Sequence, residues 1–463
     1  MSSRRISFVL LACVLLTPAW GRAAEGPSNG VVRIATFDVD ATPSLGAAMA
    51  YGPVVRPADL SLRCRGIVLL GAGDPIVVAA IDWIGVGNEA HDAFRQALAS
   101  AADTGADRVA VQALHQHDAP QCDFTAERIL KELGTRDFPR FQGDFARDVI
   151  ERAAEAIRTA LPNATPATHW GFGRAEVQEV ASNRRLIGPD GTLRAWRGST
   201  TGDPALRAEP EGTIDPTVAT LVFWNEETPL AVLTSYATHP MSYYRTGVPG
   251  PDFPGIARFI RTQDVPSALH VHFTGAGGNV AAGKYNDGSP ANRVLFASRL
   301  AAGMRAAFAA ATRQPLTPAD VGWESVPARL EPAAHLDADA LVAAIRAGPD
   351  RGTLASVEQF AWLTRTRAGH AIPVSCLRVG TVRMLHLPGE LFVEYQLAAR
   401  KMRPDLEVMM AAYGDYGPGY IGTAVAYSEG GYETQPTSSG VGPQAEPALM
   451  EAMRKLLAAE AAR

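Results

Sequence analysis

Short apolar runs rich in Val, Ile and Leu alternate with alanine-rich stretches of helical period along most of the chain. That alternation argues for layered α/β structure. Two strands are expected within Gly66 to Trp83, Ile67 to Leu70 and Ile76 to Asp82, joined by the turn Gly71-Ala72-Gly73-Asp74. A helix follows from Asn88 to Ala102, and the next strand, Arg108 to Leu114, runs straight into His115. Phe145 to Ala160 reads as an amphipathic helix and Ala219 to Ala237 as a hairpin ending at His239. Asn292 to Ala311 reads as a long alanine-rich helix, Val374 to Leu387 as another strand pair and Pro447 to Ala462 as a terminal helix. No internal repeat is visible, and the Gly/Pro-rich stretches are local loops. The fold expected is therefore α/β: one large layered domain with a mixed sheet and helices, its active site in loops at strand ends.

Composition narrows the function. The 463 residues are 47% apolar and 20% charged, which excludes a disordered chain, and 43 Lys+Arg against 48 Asp+Glu excludes a polybasic nucleic-acid binder. Arg4 and Arg5, an apolar run from Ile6 to Leu16, Pro18 and the small residues Gly21, Ala23 and Ala24 have the layout of a secretory signal peptide covering residues 1–23. Ser3-Arg4-Arg5 followed by Phe8 also resembles a twin-arginine signal, the type that exports folded proteins. Export, periplasmic or secreted, is expected. The apolar run is too short to span a bilayer, and no later segment reaches about 18 uninterrupted apolar residues. Cleavage would remove three arginines and no acids, leaving 40 cationic against 48 acidic side chains, a net charge of −8 that disfavours anionic lipid or nucleic acid as a partner. Cys64, Cys122 and Cys376 allow at most one disulfide and no CxxC zinc knuckle. A bound metal would have to use His, Asp, Glu or Tyr.

Three strand ends carry such groups. His115-Gln116-His117-Asp118 sits just past an apolar strand, and residues i and i+2 of an extended segment point the same way, so both imidazoles can face one cavity. Such a pair is as readily a structural feature of a loop as a metal site. Thr238-His239-Pro240 ends another strand, and Leu387-Pro388-Gly389-Glu390 presents a carboxylate on a tight turn. Two His and a Glu form a hydrolytic zinc set that leaves a coordination position for water. His91, His169, His335 and His370 have no acidic or His partner nearby in sequence and read as surface or core residues.

The ordered segments His115-Gln116-His117-Asp118-Ala119-Pro120, Ser182-Asn183-Arg184, Ala237-Thr238-His239-Pro240, Pro388-Gly389-Glu390, Gly419-Tyr420-Ile421-Gly422-Thr423 and Gly431-Tyr432-Glu433 resemble those of the neutral, non-lysosomal ceramidases. They occur in that family's order and span most of the chain. The resemblance implies a zinc (Zn2+) amidohydrolase with His115, His239, Glu390 and Tyr420 as metal ligands. It also implies that His117, Arg184 and Tyr432 polarise the amide carbonyl and stabilise the tetrahedral oxyanion. Taken alone, Arg184 would read as a surface salt-bridge residue and the tyrosines as core.

Two departures qualify the resemblance. The family's Gly-Asp-Val-Ser-Pro loop, which carries a serine regarded as a nucleophile, corresponds to Gly278-Asn279-Val280-Ala281-Ala282-Gly283, so the serine position is Ala281. Covalent serine catalysis is thereby disfavoured, whereas attack by metal-activated water is not. Longer family members also carry a C-terminal β-sandwich domain, and none is expected after the helix from Pro447 to Ala462. The polar run Lys284-Tyr285-Asn286-Asp287-Gly288 reads equally as a hydrophilic substrate contact and as a solvated turn. The partner implied is a small-molecule or lipid amide, with oligomeric state left open. Ceramide or another N-acyl lipid is the family's substrate. A polar amide or ester such as an acylated sugar is the alternative, and a metal-binding protein without turnover is the third reading.

Overall fold

The computed structural model describes residues 30–135, 138–348 and 351–458; the expected signal peptide lies outside them. Its strands form three principal sheets built on one plan. The first contains Arg33–Asp40 (β1), Arg63–Leu70 (β2), Ile76–Ile81 (β3), Val109–Ala113 (β4) and the short Thr165–Pro166 (β5) in the spatial order β4-β3-β2-β1-β5. β1, β2 and β3 run antiparallel in sequence, and the helix Asn88–Ala102 (α1) then carries the chain back so that β4 lies parallel to β3. The second contains His169–Glu176 (β6), Thr217–Asn225 (β7), Thr228–Tyr236 (β8), Leu269–Thr274 (β9) and Gln314–Pro315 (β10), ordered β9-β8-β7-β6-β10. Here Asp252–Asp264 (α2) makes the crossover that sets β9 parallel to β8. The third contains Val321–Ala328 (β11), Ile372–Val379 (β12), Val382–His386 (β13) and Glu407–Ala411 (β14), with Val393–Met402 (α3) in the crossover between the parallel β13 and β14.

The three sheets enclose one apolar core. Ile34, Val78 and Ala110 from the first, Leu221, Leu233 and Phe273 from the second, and Leu377, Met384 and Met409 from the third are all buried in a single cluster. Strands covered on both faces need continuous apolar runs, which is why every residue of β3 and β4 is buried and why no alternation marks them in the sequence. Helices cover the outer faces. α1 buries Ala90, Phe94 and Leu98 and packs on Asp144–Ala160, while α2 packs on Ala291–Ala310 with Phe253 edge-on to Phe296 at 5.9 Å between centroids.

The expected elements between Gly66 and Leu114, the helix from residue 145, the hairpin before His239 and the strand pair before Leu387 are present within one or two residues of the expected bounds, except that the strand expected from Ile67 begins at Arg63. Sequence reading found no repeat, yet the β-β-β-α-β unit occurs three times, hidden because the connections differ in length. Among the described residues, Cys64, Cys122 and Cys376 are buried and unpaired. The run from Lys284 to Gly288 is an internal strap. Lys284 Nζ donates to the Arg207 and Glu209 carbonyls at 3.0 and 2.6 Å, and buried Asn286 donates to the carbonyls of Ser199 and Ser242 at 2.8 and 2.7 Å.

The shared plan has a consequence for chemistry. Each unit ends its parallel pair at the same end of the molecule. β4 leads to His115, β8 to His239, β9 to Gly277 and Gly278, β13 to Glu390, and β14 to Tyr413 and Tyr420. Carboxyl ends of parallel strands, where connections diverge, are where α/β folds place ligands.

Candidate metal centre

His115 leaves β4 in a left-handed conformation, φ 74°, which a residue with a side chain adopts only when its surroundings hold it there. Its N–H donates to the Trp83 carbonyl at 2.8 Å and its Nδ1 to the Ile84 carbonyl at 2.6 Å. His239 is fixed in the same manner, its N–H on the Val280 carbonyl at 2.8 Å and its Nδ1 on the Gly277 carbonyl at 3.1 Å. A carbonyl can only accept, so each Nδ1 carries a hydrogen, and in the neutral ring Nε2 is then the atom with the lone pair.

Glu390 follows the Pro388-Gly389 turn and pairs in register with Tyr420 in a two-residue parallel ladder, so the third and fourth expected ligands are neighbours by backbone pairing. The loop Gly277-Gly278 passes between these segments. A Cβ at Gly277 would lie 2.9 Å from the Thr238 carbonyl carbon, and one at Gly278 would lie 2.3 Å from the Glu390 carbonyl oxygen, so only glycine lets the ligand loops close together.

The result is a convergence of acceptors. His115 Nε2 and His239 Nε2 are 3.1 Å apart, and Glu390 Oε2 lies 3.1 Å from the first and 3.4 Å from the second. Despite that closeness, Glu390 Oε2 has no hydrogen-bond partner. Its other oxygen accepts from Tyr416 Oη at 2.7 Å. Burial pushes the Glu390 carboxyl up, but His115, Tyr416 and Arg184 outweigh it and hold the group below its ordinary range, as a carboxylate. Burial, reinforced by the neighbouring imidazoles and Arg184, pushes His117 and His239 well below the usual histidine range, so both are neutral. The ligand atoms of His115, His117 and His239 lie within 4.8 Å of one another. A buried group of imidazoles and a carboxylate with an orphaned oxygen fits a divalent cation of zinc type, for which N and O donors of this kind are the ordinary ligands.

Tyr420 stacks on His239 with ring centroids 6.2 Å apart, and burial raises its phenol well above the usual range against the opposing charge of Arg184. Arg184 follows the short pairing of Ser182–Asn183 with Val280–Ala281, and its N–H donates to the Asn279 carbonyl at 2.8 Å. Its Nη1 donates to Tyr420 Oη and to the Gly278 carbonyl, both at 3.1 Å. Burial opposes its charge, but Tyr420, Glu433 and Glu390 more than compensate and keep it cationic. His117 is clamped between Tyr51, stacked at 5.6 Å, and Tyr244, edge-on at 5.2 Å. Tyr432 stands at the mouth, 42% exposed, edge-on to Tyr420 and beside Trp196.

All seven residues singled out from the sequence thus come together. Sequence reading missed Tyr416, Tyr51, Tyr244, Trp196 and Glu433, whose contacts are long-range. The glycine-rich run from Tyr413 to Gly419 was the one local sign that a site loop lay there. Ala281 is fully buried, and Ser182 Oγ, its neighbour in the ladder, donates to the Ala281 carbonyl at 2.9 Å.

No protein-family model matches the chain, and no curated protein matches it. Among solved structures, the neutral ceramidase from Pseudomonas aeruginosa superposes with a TM-score of 0.67 at 17% identity, over 93% of this chain and 74% of that one. A structure described as ceramidase complexed with C2 superposes with a TM-score of 0.65 at 15% identity, over 93% of this chain and 75% of that one.

Proposed function

We propose that the chain, whose fold is that of the neutral ceramidases, is an exported zinc-dependent hydrolase that cleaves an amide bond by metal-activated water, with an N-acyl lipid as its substrate class. The observation that carries this reading is the unpartnered Glu390 oxygen, facing two imidazole lone pairs at 3.1 and 3.4 Å. Such a set costs free energy when empty and gains it around a cation.

When bound, zinc supplies Lewis-acid polarisation and lowers the pKa of a coordinated water from about 15.7 to about 7. His115, His239, Glu390 and Tyr420 would hold it. Arg184 directs a cationic N–H edge into a buried site, where it would meet negative charge developing on the carbonyl oxygen. His117, held by its aromatic clamp and kept neutral, would exchange a proton or hydrogen bond at one ring nitrogen. Tyr432 and Trp196 would contact the substrate at the opening. With a methyl group at 281, no serine oxygen is available there for an acyl-enzyme step.

Ala281 also favours a second reading, in which the same centre serves a polar amide or ester such as an acylated sugar. A hydrolysis panel of N-acylsphingosines, N-acylated amino sugars and esters, run with the zinc-loaded chain and His239→Ala as control, tests both. Release of free amine from the lipids by the native chain alone supports the first reading, and release from the polar substrates alone supports the second. Stoichiometric zinc with no turnover on any member would leave a metal-binding protein without activity.

A further inference from the structure

We infer that Glu433 is a positioning residue for this reaction, aiming Arg184 and tying it to Trp196 at the mouth; the inference rests on the role proposed for Arg184. Glu433 lies in the turn Tyr432–Thr434 and is fully buried. Its Oε2 accepts from Arg185 Nη1 at 3.2 Å and its Oε1 from Trp196 Nε1 at 2.8 Å. Arg185 is fixed in turn by Glu429 at 3.0 Å and by the Ala426 carbonyl at 3.3 Å. With the carboxylate held on both sides, Oε1 stands 3.3 Å from Arg184 Nε, an ion pair that lacks hydrogen-bond alignment and leaves Nε without a hydrogen-bond partner.

That one oxygen therefore accepts from an indole that is 38% exposed and pairs by charge with a buried guanidinium. The guanidinium carbon of Arg184 lies 4.8 Å from the Trp196 ring centre and 5.6 Å from that of Tyr432, while its Nη1 reaches Tyr420 Oη. A guanidinium is a rigid planar fork, so a carboxylate held beside its Nε edge favours by charge one direction of the Nη edge. A donor stabilises a developing oxyanion most when it is aimed before the reaction, with nothing left to reorganise. Glu433 supplies that aim. It also neutralises one of two consecutive buried arginines, which would otherwise stand side by side with less compensation.

Kinetics on the zinc-loaded full chain compare native protein, Glu433→Gln, Arg184→Ala and the double variant. Glutamine keeps the volume and an acceptor for the Trp196 N–H while losing the charge. Glu433→Gln is expected to lower kcat about 10-fold or more with KM little changed, and to have no further effect once Arg184 is alanine. Guanidinium ion should restore part of the activity of Arg184→Ala and none in the double variant, which lacks the anchor. An equal loss in both backgrounds, or loss of zinc, overturns the inference while leaving the hydrolase reading intact. Arg184→Ala as active as the native chain overturns it together with the role given to Arg184. If Glu433→Gln does not fold, Arg185→Lys loosens the same carboxylate from its far side, takes its place in the cycle, and must show the same dependence on Arg184.

Discussion

His115 Nε2 and His239 Nε2 face each other at 3.1 Å, each ring held from behind by a backbone carbonyl that takes the hydrogen of its Nδ1. With both rings neutral, neither nitrogen can donate to the other, and Glu390 Oε2 joins them as a third acceptor. Such an arrangement could hold a cation shared by the three, and the left-handed φ of His115 turns its ring into that position.

Tyr416 orients the carboxylate from outside the ligand set. Its hydroxyl occupies Glu390 Oε1, and Gly85 makes room for its ring, since a Cβ there would lie 2.6 Å from Tyr416 Cγ. Tyr416→Phe should therefore weaken zinc binding about 10- to 100-fold while the fold is kept. Competition titration against a chelator measures it, and unchanged affinity would show that the carboxylate needs no such support.

His117→Ala and Arg184→Ala should retain zinc and lose turnover, by about 10²-fold or more in kcat for each, as expected for groups that act on developing charge. Steady-state kinetics beside elemental analysis separate the cases. A change confined to KM would make them substrate-holding residues, and loss of zinc from His117→Ala would make His117 a ligand.

Ala281 sets a chemical test. Serine-directed reagents should leave activity intact and chelators should abolish it, and Ala281→Ser should change the rate little on the true substrate. A rise of orders of magnitude on ceramide would mark the native chain as a ceramidase that has lost its serine.

Beneath the site, Arg258 of α2 grips Asp82 at the end of β3 with both terminal nitrogens, and Asp82 also accepts from the Arg63 N–H at 2.9 Å. Both side chains are almost fully buried. Arg258→Ala should destabilise the fold by about 3–5 kcal/mol, because it strands a buried carboxylate. Denaturant unfolding of the single variant and of Asp82→Leu with Arg258→Met should show the pair replacement costing less than the single loss.

How far the sequence could be read depended on the range of the signal. α1 was legible to the residue, and the strands flanking it nearly so, because apolar runs and turn glycines are local. α2 was missed because Pro254 and Gly255 interrupt its pattern, although a proline in the first turn removes no needed hydrogen bond. Strand ends exposed His115, His239 and Glu390 to inspection, and the ordered motifs added Arg184, Tyr420 and Tyr432. Tyr416 and Glu433 escaped because their roles exist only after folding: Glu433 meets Trp196 across 237 residues of chain.

Zinc content tests the central claim most directly. Elemental analysis of the native chain, purified without chelator, should find about one zinc per molecule, and His115→Ala and His239→Ala should each lose it while remaining folded by circular dichroism. If both variants keep their full metal content, the ion is bound elsewhere and the three converging acceptors are not its site.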